Sequence, residues 1–597
     1  MLQETACIAK RGAMNLGPYG SLGSSTATQD TYFEGIVSTS TAYCDCPCTI
    51  PMTETTAVPV HSADIGPTKP AFHHGDSEQD SENNVPMRDV SGDILDDGLR
   101  RGLKGRHFVI IALGSIIGPG TYWGIGYAIF LSGPLGALLG FLIVGISMWF
   151  LMQSVGEMTT LFPTHGGFVE HAGRFVDPAL SFSMSWLYYL MWSVFLASDW
   201  NSAILTLRFW VSDDQMPSWA WTIIFFVVFT VMTLLGVRVY GEIEYYFGMF
   251  KFGSLILLFI LSIVSNAGGF GGGYTGFKYW KKPTGPIING IDGFGQVFVL
   301  AAAYYVGTEI ISIAGGESKN PKRDVPRAIN SVVYRILVVY IGMPFFQGLI
   351  CPSDSPDLLS ASSKTASSPF TIGFVRDGWK SAGHFVNALI LVAFVSAANG
   401  VVYVQSRTIY SLALTNRAPK IFAKTTSRGV PWVAIVTSNF WGFLCLMNRT
   451  LTAGQVFSYM TSVGGTSAYI AWASIIFTHL RIRAAAKKQG VDIKTFPYRA
   501  WGSIWIYRAN FIFNIFILFI QGYTVFKYPF DWRNFIACYI TIPTFLLMFV
   551  GYKLWFKTAW VTLDKVDFSD RREWVGQASD ANVQRSLKRR AFDLVKD

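Results

Sequence analysis

The chain has 597 residues, of which 51% are apolar and only 14% charged, with a mean hydropathy of +0.35 and a formal net charge of +10. Soluble domains carry about 25% charged residues, so there is too little polar surface here to enclose a water-soluble core. The cations lie in short clusters between apolar runs, which is a topology signal and excludes a nucleic-acid-binding patch as the reason for the charge.

Residues 1–99 are rich in Ser, Thr, Gly, Asp and Glu and include the acidic stretch GDSEQDSENNVPMRDVSGDILDD. Such a segment cannot bury enough surface to fold alone, and it is expected to be a disordered cytoplasmic tail. It lacks the basic n-region and compact apolar core of a cleaved signal peptide, so the first membrane segment is expected to direct insertion. Cys44, Cys46 and Cys48 alternate, unlike the C-x-x-C pairs of zinc sites, and the first histidine is His61. Neither a metal site nor a cofactor is expected. Cys351, Cys445 and Cys538 fall in or beside apolar runs, where a thiol behaves as a small hydrophobe.

From Arg106 onward, apolar runs long enough to cross about 30 Å of hydrocarbon recur. The expected spans are 107–131, 135–155, 180–207, 219–237, 245–265, 294–314, 329–351, 384–413, 431–447, 455–479, 508–527 and 535–555. The fold class is thus an all-α membrane protein of about twelve transmembrane helices, with a transporter domain over 100–558 and a cytoplasmic tail over 559–597. Lys319, Lys322, Arg323 and Arg327 mark one inward-facing connection, and Arg481, Arg483, Lys487 and Lys488 another. The positive-inside rule then puts both termini in the cytosol.

Two segments carry small residues where a helix should be continuous. The first contains Gly114-Ser115-Ile116-Ile117-Gly118-Pro119-Gly120, and the sixth contains Gly307-Thr308-Glu309 followed by Gly315-Gly316. Glycine and proline loosen the helical ladder, and backbone freed at that depth survives only where it lines a cavity or meets a ligand. Paired breaks five segments apart point to a substrate site between inverted repeats. The alternative is close helix packing through small residues.

The chain resembles the fungal amino acid permeases of the amino acid/polyamine/organocation superfamily from about Arg101 to Trp574. Besides the broken first segment, the resemblance rests on Gly156-Glu157-Met158 with Pro163, Gly166 and Gly167, and on RFVDPALSFSMSWLYYLMW at 174–192. It continues through Gly241-Glu242-Ile243-Glu244 with Lys251, YVGTEIISIAGGESKNPKRDVPRAI at 305–329, SAANGVVYVQSRTIYSLALTNRAPKIF at 396–422 and QGYTVF at 521–526. It implies a proton-coupled symporter with a five-plus-five inverted repeat, broken helices 1 and 6, and two extra helices.

An amino acid would then bind with its carboxylate on N–H groups near Ile117, Gly118, Pro119 and Gly120. Its ammonium would meet carbonyls of Tyr304, Tyr305, Val306 and Gly307. Ser115, Thr121 and Glu309 complete the expected substrate set, and Tyr188 and Trp192 either form a side-chain pocket or simply pack. Ionisable groups inside spans are functional candidates by default. Coupling is therefore assigned to Lys251, Glu309 and Asp199, the last standing where the family usually has Glu. Lys251 could instead be a snorkelling cation, and Glu309 a structural hydrogen-bond partner. Glu242 and Glu244 are expected nearer the interface, as topological or gating residues. The family usually reads Ile-Gly-Thr-Gly-Leu-Phe where this chain has Ile117-Gly118-Pro119-Gly120-Thr121-Tyr122. Proline at 119 therefore removes one donor from the carboxylate site.

No phosphate-binding loop, H-E-x-x-H or ordered Ser/His/acid set accompanies these segments, so no enzyme is expected. The expected function is uptake of amino acids with protons across the plasma membrane by alternating access, with the lipid bilayer as partner and no nucleic acid. The alternatives are an amino acid sensor on the same fold, or a permease for polyamine, carnitine or another organic cation.

Overall fold

The computed structural model describes residues 118–164, 166–316, 321–358, 368–427 and 429–568. Among them every regular element is helical. Ser115, Ile117, the 1–99 segment and everything beyond Phe568 lie outside the described residues.

The first helix, α1 (Pro119–Leu161), has 43 residues, about 65 Å if it ran straight, or roughly twice the hydrocarbon thickness. It is divided at Gly133, whose φ of 77° and ψ of 170° precede Pro134. The arms 119–132 and 134–161 correspond to the first two expected spans. A short helix, α2 (Gly167–Phe175), leads to α3 (Pro178–Leu207), α4 (Ser218–Leu234) and α5 (Val237–Asn266). The sixth segment is two helices, α6 (Gly290–Tyr305) and α7 (Ile310–Gly316), separated by the break 306–309. Next, α8 (Pro321–Arg335) passes through a π-helical stretch, Ile336–Ile341, into α9 (Gly342–Ile350). After α10 (Pro369–Arg376) come α11 (Ala382–Leu414), α12 (Trp432–Phe440) with a 3₁₀ continuation Trp441–Arg449, and α13 (Ala453–Lys488). The chain ends in α14 (Ile504–Ile520), then α15 (Trp532–Tyr539) and α16 (Thr541–Phe556), which meet at a 45° bend.

Among the described residues, seven helices are long and apolar enough to cross a membrane, or eight if α15 and α16 form one bent span. The nine-residue α2 and eight-residue α10 were not expected, because both are far shorter than the apolar run that marks a span. Helix α13 also continues to Lys488, well beyond the expected end at 479. Its last turns contain Arg481, Arg483, three alanines and two lysines, which are strong helix formers although they end the apolar run.

Many buried hydroxyls are satisfied inside their own helices. Along α3, Ser183, Ser185, Ser193, Ser202 and Thr206 each donate to the carbonyl four residues earlier, at 2.7–2.9 Å. Between helices, Ser147 of α1 donates to Asn510 of α14 at 2.6 Å, and Gln521 donates to Thr466 of α13 at 2.6 Å. Asp177 caps α3 by accepting the Ala179 N–H at 2.8 Å, and its other oxygen pairs with Lys553 of α16.

Candidate functional site

Gly118 is extended (φ −106°, ψ 179°) and caps α1, with Pro119 as the first helical residue. A proline there costs the helix no hydrogen bond, since the first-turn N–H groups have no partner within the helix. The Gly120 N–H belongs to this open end, whereas Thr121 N–H already bonds the Gly118 carbonyl at 3.1 Å. Gly118 is wedged between two other helices: a Cβ built on it would lie 3.2 Å from the Ala397 Cβ of α11 and 3.7 Å from Asp199 Oδ1 of α3.

Facing this helix end is the break between α6 and α7. Val306 leaves the helix with φ −54° and ψ 144°, and Gly307 takes φ +95°, a conformation that favours glycine. The carbonyls freed here are mostly used internally. Tyr304 O accepts from the Tyr340 hydroxyl at 2.6 Å, Tyr305 O from the Thr308 hydroxyl at 2.8 Å, and Gly307 O from the Ile310 N–H at 3.3 Å. Val306, between them, lines a cavity at this break. Glu309 braces the break, as its Oε1 accepts the Gly307 N–H and the Tyr188 hydroxyl, both at 3.2 Å, and it is 1% exposed.

Between the start of α1 and the break after Tyr305 lies this cavity of about 60 Å³, enough for a handful of water-sized atoms. Of the residues singled out in the sequence, Gly118, Thr121, Asp199, Tyr304, Val306 and Trp192 line it. Tyr305, Gly307 and Glu309 are not among the lining residues, and the Tyr305 hydroxyl donates to Phe141 O at 3.0 Å. The hydroxyls of Thr121 and Tyr304 and the indole N–H of Trp192, all on lining residues, are buried without a hydrogen-bond partner. The lining is completed by Phe195, Ser198, Ala303, Ala397, Val401, Phe457 and Thr461. Those residues carry no sequence signal of their own, being small or apolar like the rest of the core.

Behind Asp199 a buried charged pair leads away from the cavity. Lys251 of α5 lies within electrostatic reach of Asp199, and its ammonium sits 3.3 Å from Glu244 Oε1, with both side chains fully buried. Ser396 of α11 donates to the other Glu244 oxygen at 2.7 Å. Glu244 is therefore an interior partner of Lys251, set two turns away on α5, instead of an interfacial residue.

The "Amino acid permease" family model matches residues 107–565. The chain belongs to the amino acid permease family. Permeases similar to it include a general amino acid permease of Saccharomyces cerevisiae, 39% identical over 82% of this chain and 88% of the relative. A dicarboxylic amino acid permease of the same yeast is 34% identical over 82% of this chain and 84% of its own length. The lysine-specific permease of Escherichia coli is 35% identical over 79% of this chain and 96% of its own. Permeases are carriers, not enzymes, and with its series of apolar helices this one is a multi-pass membrane protein.

Proposed function

We infer that this permease takes up amino acids together with protons across the plasma membrane by alternating access. The observation that carries the reading is the cavity enclosed by the open end of α1 at Gly118, the Val306 break and Asp199. A zwitterion fits that set. Its carboxylate meets the Gly120 N–H and Thr121 hydroxyl at the positive end of α1, and its ammonium meets Asp199 and the Val306 carbonyl. Asp199, Lys251 and Glu244 would carry the proton, with Glu309 holding the break in the shape that binding requires.

The architecture goes with this reading as twelve spans. The two arms of α1 count separately, α6–α7, α8–α9 and α15–α16 count as one span each, and α12 includes its 3₁₀ turns. Spans one to five and six to ten form the inverted repeats, with breaks in the first member of each. The residues before 100 and after 558 face the cytosol, as does the connection 317–328. An impermeant thiol reagent added to intact cells should leave a cysteine at 322 unlabelled, and strong labelling would defeat this topology.

The functional test is uptake by the purified chain in vesicles with an imposed pH gradient. Accumulation of a labelled amino acid only when the outside is acidic supports symport, and accumulation insensitive to the gradient refutes it. A second reading, transport of an organic cation, is favoured by Asp199 as the acidic side chain in the cavity lining. Competition by a polyamine stronger than by any amino acid would select it.

A further inference from the structure

One face of α13 touches three separate features of the molecule. Phe457 and Thr461 line the cavity, Trp472 lies beside Glu309, and His479 and Arg483 reach Glu157 at the far end of α1. The intervals of 4, 11, 7 and 4 residues are sums of threes and fours, so these side chains form one stripe. Gly465, in the same stripe, lets the helix lie against the α6 backbone: a Cβ there would be 2.5 Å from Val299 O. From Thr461 to His479 the helix spans about 27 Å.

The end at Glu157 is tightly committed. Glu157 is fully buried and accepts from His479 Nε2 at 3.1 Å, from Arg483 through two nitrogens, and from the Ala500 N–H at 2.7 Å. One turn earlier, Gln153 Oε1 accepts from the Tyr498 hydroxyl at 2.7 Å and the Trp501 N–H at 3.3 Å. Thr159 bonds Ser312 of α7 at 2.9 Å. The last turns of α1 thus hold α13, the segment following α13 and the half-helix beyond the break. A buried carboxylate with four donors cannot give up one of them cheaply, so the cluster behaves as a unit that is either made or broken.

We propose that the Glu157 cluster is a clasp that decides which side of the membrane the cavity opens to, acting through α13 on Phe457 and Thr461. Glu157 is then a positioning residue. The inference rests on the alternating-access reading. Made, the clasp seals the end where α1, α7 and α13 converge; broken, it frees α13 to swing and opens that end.

The test follows a cysteine placed at 461 in the full-length chain, labelled by an impermeant thiol reagent in right-side-out and inside-out vesicles, with the parent cysteines as background. Alternating access itself requires that amino acid protect this cysteine from labelling in both vesicle types, and failure there sinks that reading, not the clasp alone. Given protection, Glu157→Gln keeps the shape and removes the charge. It should change the labelling rate at least fivefold in opposite directions in the two vesicle types. Arg483→Lys, which keeps the charge and loses the two-nitrogen grip, should give a smaller shift of the same sign and serves if Glu157→Gln does not reach the membrane. Rates unchanged on both sides, or raised on both as in a generally loosened protein, would overturn the proposal.

Discussion

Replacing Gly124 by alanine tests whether Tyr304 shapes the cavity. Gly124 lies in the first arm of α1, and a Cβ there would sit 1.6 Å from the Tyr304 hydroxyl oxygen and 2.3 Å from the ring carbon that bears it. Ordinary contact begins at 3.4 Å, so the tyrosine must retreat by nearly 2 Å, into a cavity of only about 60 Å³ that it already lines. Misplacing a site group by about 1 Å can cost on the order of 100-fold in activity, so Gly124→Ala should lower uptake at limiting substrate by 100-fold or more. Gly253→Ala is the control, because a Cβ at Gly253 meets nothing within 4 Å. There alanine should leave uptake unchanged and add up to about 1 kcal/mol of helix stability. The assay is initial-rate uptake normalised to surface protein, with thermal melting of the detergent-solubilised chain. In a double-mutant cycle, Gly124→Ala should cost little once Tyr304→Leu has removed the obstacle. Equal losses with and without Tyr304→Leu would refute the reasoning, since the damage would then not pass through the tyrosine.

Lys251→Met should reach the membrane yet lose uptake driven by a pH gradient while keeping substrate exchange, and unchanged gradient-driven uptake would remove Lys251 from the coupling path. Pro119→Thr restores an N–H at the open end of α1; one hydrogen bond to a carboxylate is worth roughly 1.5–3 kcal/mol, so KM for ordinary amino acids should fall about tenfold or more, and an unchanged KM would place the carboxylate elsewhere. Asp177→Ala should lower stability at neutral pH by about 1–2 kcal/mol through loss of the α3 cap. Burial alone would raise the Asp177 pKa, but hydrogen bonds from Lys553, the Ala179 N–H and Thr558 outweigh it and hold the carboxyl below its usual range. A carboxyl depressed in the folded state stabilises above its unfolded value of about 3.9. The gap in melting temperature should therefore close as pH falls below about 4, and a gap independent of pH would deny the charge any part in it.

The long apolar helices were legible because hydrocarbon thickness imposes a minimum apolar run, and that constraint acts on sequence directly. The break at Gly307 was legible for a related reason, since its positive φ favours glycine, and Pro119 after Gly118 marks a helix start that favours proline. What escaped was set by contacts between helices. Phe457 and Thr461 look like any residues of a buried helix until α13 is laid against α6. Glu244 reads as interfacial by its position in the chain, and only the packing of α5 against α11, where Ser396 donates to it, shows it to be interior. The cytoplasmic-looking run after 479 hid Arg483, because hydropathy stops at the first arginines while the helix, and its grip on Glu157, go on.

The π-helical stretch Ile336–Ile341 has a consequence for how this chain tolerates change in length. Tyr340 lies within it, donates to Tyr304 O at 2.6 Å and packs its ring 3.9 Å from that of Tyr305. A π turn holds more residues than an α turn, so deleting one residue here would let the helix return to ordinary winding without breaking it. The helix beyond the deletion would keep its face, because the same turn would be closed with one residue fewer. Within the turn itself Tyr340 would be re-aimed, and the Tyr304 carbonyl would lose its donor next to the cavity. A deletion that a surface loop would absorb unnoticed is, at this one turn, an edit to the wall of the cavity.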